Sequence, residues 1–529
     1  MSGRPAVTFR PADASMAAVA PFLRRLTTFS ALGFSCALAG ILGGCAAVGP
    51  NFAPPTPPAA RGYAGAGDKA APEAVLTADA SKAGPWWLAL GSPALDAVME
   101  RALAHNQTVA AAQATLEKAR AQAERERARL LPSISANASY QRERINTASF
   151  GIPGFPSPTL GLYSIGPSVS YDLDLAGGQR RRLEAARAQA QALAFRADAA
   201  YLTLTGNVAL QAVRIAGLRA EIDAVQAVVA DDRHSIEIVL KAEEAGGEPA
   251  SAGLGGRLQL EQDLALLQPL EQQLAEARHA LALLVGEAPS EWSAPDFSVD
   301  DFPARPPIPV AIPSALVRQR PDIEAAEADL HADTALIGVE SSRLYPDVRL
   351  IAGLTQEALS PDKLFSFGST AYYLGPALTA PIFDGGAIRA DRRAAQAQAR
   401  ADLARYRQTV ITAFVQVSDV LSALAQDEDH LAALVRAEAT ARASLEEARD
   451  GYRLGGSPLA NVVIADRRWR ETTLAKAQAI GQRLADIVAL YGATAANWGP
   501  PQSVPNEAAP GHVSRAHDVK SLAPASQSP

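Results

Sequence analysis

A chain of 529 residues with a formal net charge of −7, and no Lys/Arg cluster interleaved with aromatics, offers no footprint for nucleic acid. Hydrophobic residues reach 48% but aromatics only 6%, so the apolar content rests on Ala, Leu and Val in stretches rich in Gln, Glu and Arg, which is helical composition. Length by itself suggests about three ordinary domains, a weak prior for an extended architecture.

The N-terminal region reads as a secretory signal. Arg24 and Arg25 precede a mostly apolar stretch over 26–42, and Gly43 and Gly44 lead to Cys45. Translation starts at Met1 or Met16. The run Leu42-Gly43-Gly44-Cys45 resembles the bacterial lipobox, in which the signal is cut before the cysteine and the cysteine is acylated. The alternative is an ordinary signal with Cys45 buried at its end. Acylation, a palmitate-type modification, would anchor the chain firmly, at roughly 0.8 kcal/mol per buried CH2. Among such lipoproteins Asp after the cysteine marks inner-membrane retention; Ala46 stands here and implies the outer membrane. Cys36 is the other cysteine, and no disulfide framework follows.

Residues 1–44 are thus a lipoprotein signal peptide and 45–85 a lipid anchor with a Pro-rich linker, extended over 48–62. Beyond Cys45 no uninterrupted apolar run reaches the ~18 residues of a transmembrane helix, so any membrane crossing is made by strands. A helix is predicted over 95–131. Over 133–141, Ile134, Ala136, Ala138 and Tyr140 alternate with Ser133, Ser135, Asn137, Ser139 and Gln141, a strand of period two. The pattern returns over 163–175, where Tyr163, Ile165, Val169, Tyr171, Leu173 and Leu175 alternate with Ser164, Ser168, Ser170, Asp172 and Asp174. Membrane strands need about 9–11 residues with one apolar face. A soluble four-stranded sheet packed on helices is the plainer alternative.

A stretch without proline over 179–244 then carries Leu204, Val208, Ile215, Leu218, Ile222, Val225 and Val229 on one heptad series, broken at Gln211 and Asp232, which predicts a coiled-coil helix of roughly 100 Å. Gly246 and Gly247 turn the chain into a shorter helix over 257–285, with a kink expected at Pro269. A linker over 291–311 closes this first repeat, 86–290. The second repeat, 312–498, follows the same order: a helix over 322–344, weaker strands over 348–354 and 374–382, a long helix over 387–450 with Val410, Phe414, Val417, Leu421 and Leu424, a turn at Gly455 and Gly456, and a helix over 459–491. Matching dipeptides recur at offsets of 208 to 214 residues, as with Leu131-Pro132 against Tyr345-Pro346 and Gly246-Gly247 against Gly455-Gly456. Such duplication implies pseudo-symmetry. Residues 499–529 read as a disordered tail.

Four strands cannot close a barrel, and open edges in lipid leave backbone groups unpaired. Closure needs more than one chain. Two copies give an interior filled by side chains and three an open lumen; the polar faces at Ser168, Ser170 and Asp172 suit the second.

The lipobox with the segment CAAVGPNFAPP and the duplicated strand, strand, long helix, turn, helix order resemble outer-membrane efflux proteins of the TolC and OprM type. The stretches LLQPLEQQLAEARHALALLVGEAPSE, IPSALVRQRPDIEAAEADLHADTALIGVESSRLYPDVRL and LGPALTAPIFDGG resemble the NodT-like lipoprotein branch. That resemblance, over residues 40–498, implies an α+β membrane protein: a homotrimer whose 12-stranded β-barrel, four strands per chain, continues as an α-helical coiled-coil barrel in the periplasm. It also implies a periplasmic membrane-fusion adaptor, an inner-membrane pump of the proton-driven resistance-nodulation-division (RND) type, contact with outer-membrane lipid, and a part in antibiotic resistance.

In the family the second hairpin turn, matched by Arg453, Leu454, Gly455, Gly456 and Ser457, meets the adaptor; Gly246 and Gly247 form the corresponding first turn, whose extra small residues leave its register open. Tyr452 matches a gate aromatic. Relatives place two Asp residues six and nine positions past the first turn glycine, where Asn461 and Ile464 stand here, with Asp466 two residues on. Tyr452, Asn461 and Asp466 are therefore the candidate periplasmic gate, and the acidic ring is in doubt.

Enzyme readings find no support. The 7 histidines lack metal-ligand spacing and no phosphate-binding Gly-Lys-Ser/Thr is present, so no catalytic residue, metal or cofactor is expected beyond the lipid on Cys45. Asp231 and Asp232 read as a solvated helix face. The rival functions are a duct for type I protein secretion and a lipid-anchored coiled-coil scaffold without a pore. Only 3 methionines argue against soft-metal export.

Overall fold

The computed structural model describes residues 47–56, 62–63, 85–151, 154, 156–303, 317 and 320–495. Cys45, the signal segment and the expected C-terminal tail lie outside these residues.

Four strands form one antiparallel sheet in chain order: β1 (Ser133–Arg144), β2 (Thr159–Asp172), β3 (Asp347–Ala358) and β4 (Thr370–Thr379). The register joins the separate alternations into one apolar face. Ile134, Ala138 and Tyr140 lie beside Val169, Ile165 and Tyr163; Val169 and Tyr171 lie beside Ala352 and Leu350; and Ala352, Val348 and Leu354 lie beside Leu374, Leu378 and Tyr372. A register slip of one residue would reverse every one of these faces. Across the sheet Ser133, Ser135, Asn137 and Ser139 face Ser170, Ser168, Gly166 and Ser164, and the Ser135 and Ser168 hydroxyls bond at 2.9 Å. Strand ends differ from the alternation. β2 stops at Asp172 rather than 175, and β4 runs from Thr370 to Thr379 rather than to 382. Pro381 lacks the N–H that a ladder needs, and Asp174 takes a left-handed φ of 45° to turn the chain into the next helix.

Each strand pair feeds a long helix capped by an aspartate. Asp174 accepts from the amides of Gln179 (2.8 Å) and Arg180 (3.0 Å) at the start of a helix over Gly178–Glu244. Asp384 accepts from those of Gly386 (2.9 Å) and Ile388 (2.8 Å) at the start of a helix over Ala387–Arg453. A carboxylate is favoured at these otherwise unpaired N–H groups.

The helices in chain order are α1 (Pro93–His105), α2 (Gln107–Ala128), α3 (Gly178–Glu244), α4 (Ala250–Val285), α5 (Pro321–Ser342), α6 (Ala387–Arg453) and α7 (Leu459–Thr494). The single helix predicted over 95–131 is two: Asn106 adopts extended backbone and its side chain caps α2 through the amides of Thr108 and Val109. α4 continues through Pro269. α3 and α6 each span 67 residues, α4 and α7 each 36, so the two repeats match element for element.

Two units divide the chain, and the division cuts across the repeats. One comprises Met1–Pro58, Gln113–Phe195 and Asp322–Val410, with all four strands; the other comprises Ala59–Ala112, Arg196–Pro321 and Ile411–Pro529. In the second, the predicted seam residues Leu204, Val208, Ile215, Leu218 and Ile222 are buried with Leu281, Ile487 and Leu490. Trp86 and Trp87, in a short 3-10 turn over Trp86–Leu90, join this core; Trp86 stacks on Tyr491 at 5.1 Å and donates to the Thr205 hydroxyl at 3.3 Å. An 18-residue window of α6 is apolar enough by composition to cross a membrane, yet Val417 and Leu424 of that helix are buried against their own chain.

The post-signal segment is extended, as expected, but docked on the first unit. The buried Arg181 guanidinium donates to the carbonyls of Val48 (3.1 Å), Ala47 (3.3 Å) and Gly49 (3.3 Å) and to Asn51 Oδ1 (2.7 Å). Phe52 stacks on His331 at 4.4 Å. A Cβ on Gly49 would fall 2.5 Å from Gly338 Cα, so the two backbones touch. Arg181→Ala removes the donor shared by these carbonyls and is expected to destabilise the first unit by about 1–3 kcal/mol; limited proteolysis should then cut within residues 47–56 sooner than in the parent, and an unchanged cleavage rate would count against the clamp.

Candidate functional site

Both helical hairpins reverse on the same backbone. In the first turn Gly246 has φ 77° and the Gly247 amide donates to the Ala242 carbonyl at 2.8 Å; in the second Gly455 has φ 75° and the Gly456 amide donates to the Gly451 carbonyl at 2.9 Å. The left-handed residue and this backward bond close a helix end, and glycine adopts it without a Cβ penalty. Pro249 and Pro458 then open α4 and α7. The extra small residues Ser251 to Gly256 do not lengthen the first turn. They lie inside α4, and the register left open by the sequence equals that of the second turn.

The second turn presents an apolar tip among polar neighbours. Leu454 is exposed, Arg453 pairs with Asp450, and Asn461 Nδ2 donates to Ser457 Oγ at 3.0 Å. Tyr452 packs beside Leu445, Val462 and Ala465. Burial, then hydrogen bonding to Glu248 and its negative charge, hold the Tyr452 hydroxyl above its ordinary range; the two turns therefore meet through Tyr452 and Glu248. Asn461 is exposed on α7.

Asp466 is placed differently from Tyr452 and Asn461. It is 6% exposed and belongs to a charged cluster with Asp232 (5%) and Asp263 (6%). Arg470 joins them, with Nη2 at 3.0 Å from Asp232 Oδ1, Nη1 at 2.5 Å from Asp263 Oδ2, and an ion pair to Asp466 one turn earlier. Arg449 pairs with Asp231 and lies 3.6 Å from Asp466 Oδ1. Asp232 is therefore not on a solvated face. It breaks the apolar seam of α3 because Arg470 meets it there. Sequence reasoning missed Arg470 and Asp263; the one available signal was Asp232 standing in a heptad position. Acids outnumber arginines in this cluster. Burial and a hydrogen bond to Asp263 push the Asp232 carboxyl up to about 7, against the pull of Arg470. Elsewhere burial and a shared hydrogen bond push Asp333, beside Asp402, and Asp427, beside Asp486, up to about 6. Among the described residues no group of side chains fits a metal ion.

Comparison with known proteins places this geometry. The model of the outer membrane efflux protein family matches residues 98–287 and 312–496. The pyoverdine export outer membrane protein OpmQ of Pseudomonas aeruginosa is 29% identical over 424 residues, 79% of this chain and 89% of that protein. Nodulation protein T of Rhizobium leguminosarum bv. trifolii is 26% identical over 445 residues, 83% and 92% of the two chains. The solved structure of the outer-membrane channel OprN superposes with a TM-score of 0.76 at 27% identity, covering 86% of this chain and all of that one.

Two outcomes are expected of the buried cluster. Arg470→Ala leaves the carboxyls without their shared cation and should cost about 3–5 kcal/mol, read as a fall in thermal midpoint. Asp232, Asp333 and Asp427 bind protons more tightly folded than unfolded, so their contribution to stability grows as pH falls below about 7 and is lost as pH rises through about 6–7. The melting temperature should thus be higher near pH 5 than near pH 8, and Asp232→Asn, which mimics the protonated form, should flatten that slope; a slope equally steep in the variant would contradict the assignment.

Proposed function

The chain belongs to the outer membrane efflux protein family, and from that premise we propose that it is the exit duct of a tripartite efflux system, passively conducting drugs or other small molecules from an inner-membrane pump of the RND type and a periplasmic adaptor to the outside. The observation that carries the reading is the sheet. β1 and β4 are its edges, one face is apolar and the other rich in Ser, and in lipid each open edge would leave a row of N–H and C=O groups unsatisfied at several kcal/mol apiece. Joining edge to edge in three copies closes a barrel of twelve strands wide enough for a wet bore. The polar face then lines the bore and the apolar face meets lipid.

In this reading acylated Cys45 anchors the mature chain to the outer membrane, and the two glycine turns, with Arg453, Leu454 and Ser457, receive the adaptor. Tyr452 and Asn461 stand at the periplasmic gate. Asp466 serves it indirectly, by holding α7 through Arg470. The duct has no catalytic residue and no cofactor apart from the lipid. A protein-secretion duct shares the architecture, whereas a poreless scaffold gives no reason for a sheet with an apolar and a polar face.

The purified protein is expected to run as a trimer and to conduct ions in planar bilayers, and deletion to sensitise cells to lipophilic drugs or dyes. Loss of one secreted protein with unchanged drug tolerance would favour secretion, and a folded trimer without conductance would favour the scaffold. Leu454→Asp, on an exposed side chain, should leave assembly and conductance intact while abolishing drug tolerance in cells; full tolerance in that variant would remove the second turn from the adaptor site.

A further inference from the structure

α6 and α7 leave an open groove of about 760 Å³ near the second turn, floored by Ala441, Ser444 and Thr472 and rimmed by Arg436 and Arg468, with no acidic residue in its lining. Its counterpart in the first repeat is filled. α3 and α6 begin 209 residues apart, as do α4 and α7, with equal lengths. At that spacing Thr440, Ala441, Ser444 and Thr472 correspond to Asp231, Asp232, Ser235 and Asp263. Those four residues are the ones that Arg449 and Arg470 touch within the chain. Burial differs in the same sense: Val225, Val228 and Val239 are buried, whereas their counterparts Leu434, Ala437 and Ala448 are not.

The residues that would fill the open groove follow from the same correspondence. Asp466 and Arg470, which fill the first groove, map onto Arg257 and Glu261 of α4. Both are exposed, beside Leu254 and Leu258, which are 66% and 61% exposed. Charge is inverted between the two settings. An acidic groove takes Arg470 within the chain; a basic groove is left for a helix that offers Glu261. The surface pair of Arg468 with Glu471, both well exposed, is weak enough to exchange.

We propose that the groove between α6 and α7 receives α4 of a second copy of this chain, with Glu261 of that copy meeting Arg468 and Arg436. The pairing rests on the multi-chain duct proposed above and names the surfaces that join its helices. Because the two grooves differ in sign, α7 of a neighbouring copy, bearing Arg470, is repelled from the basic groove, which keeps the copies in register.

The test uses the full lipidated chain. Glu261→Cys combined with Arg468→Cys, oxidised in membranes, should convert most of the chain to dimer and trimer bands on denaturing gels, and neither single variant should. Separately, Glu261→Arg and Arg468→Glu should each lower the temperature at which the trimer dissociates, and the two together should restore it. A conducting trimer that neither cross-links nor responds to the reversals would overturn the pairing and leave the duct standing. Absence of any trimer would remove both. Cross-linking of Arg468→Cys to the adaptor instead of to Glu261→Cys would assign the groove to the adaptor and also overturn the pairing.

Discussion

Every backbone N–H and C=O withdrawn from water must find a partner, and in this chain the strands leave that condition unmet. β1 bonds only β2 and β4 only β3, so the outer edges of a sheet with an apolar face carry unpaired groups into the medium least able to satisfy them. A helix solves the problem within itself, which is why the rest of the chain is helical and why no long apolar helix is required for the crossing. The sheet is satisfied only by another sheet of the same kind. Oligomeric closure, a lumen lined by the Ser-rich face and a lipid-facing surface of Val, Leu and Tyr are consequences of that one requirement.

The duplication extends the same logic to the helices. Each repeat contributes two strands, a 67-residue helix and a 36-residue return. A rod of that length cannot bury a full circumference against its own returning helix, so an apolar or small-residue face remains on the side away from it. In the first repeat that face is covered within the chain, through Arg470 and the seam of α3. In the second, Ile411 and Val415 stay exposed on α6. Pseudo-symmetry broken in this way is what allows two kinds of groove, one closed by the chain and one closed by a neighbour.

Much of this was legible in the sequence because it depends on periodicity. Alternation of period two located four strands, heptads located α3 and α6, and the glycine pairs located the turns, since each pattern arises from local geometry that the fold preserves. The ends were less legible. β4 stops before Pro381, and α1 and α2 part at Asn106, where a side chain caps a new helix in place of the backbone bond that would have continued the old one. Least legible was the charged cluster. Asp232, Asp263, Asp466 and Arg470 come from three helices and meet only through packing, so a single chain position such as Asp231-Asp232 looks like ordinary surface charge until its partner is known.

That cluster also shows how specificity can be placed in a duplicated scaffold at little cost to its symmetry. Were both repeats to carry the same acidic groove and the same arginine-bearing helix, each groove would accept either helix, and copies could assemble out of phase. At the positions that correspond to Asp232 and Asp263 the second repeat has Ala441 and Thr472, and at the position of Arg470 the first has Glu261. The helix lengths and turns are untouched by these exchanges, because they alter side chains at seam positions and leave the backbone periodicity alone. Burying a charged pair contributes little net stability once desolvation is counted, so the value of Arg470 among its aspartates lies less in holding α7 strongly than in deciding which helix may lie there.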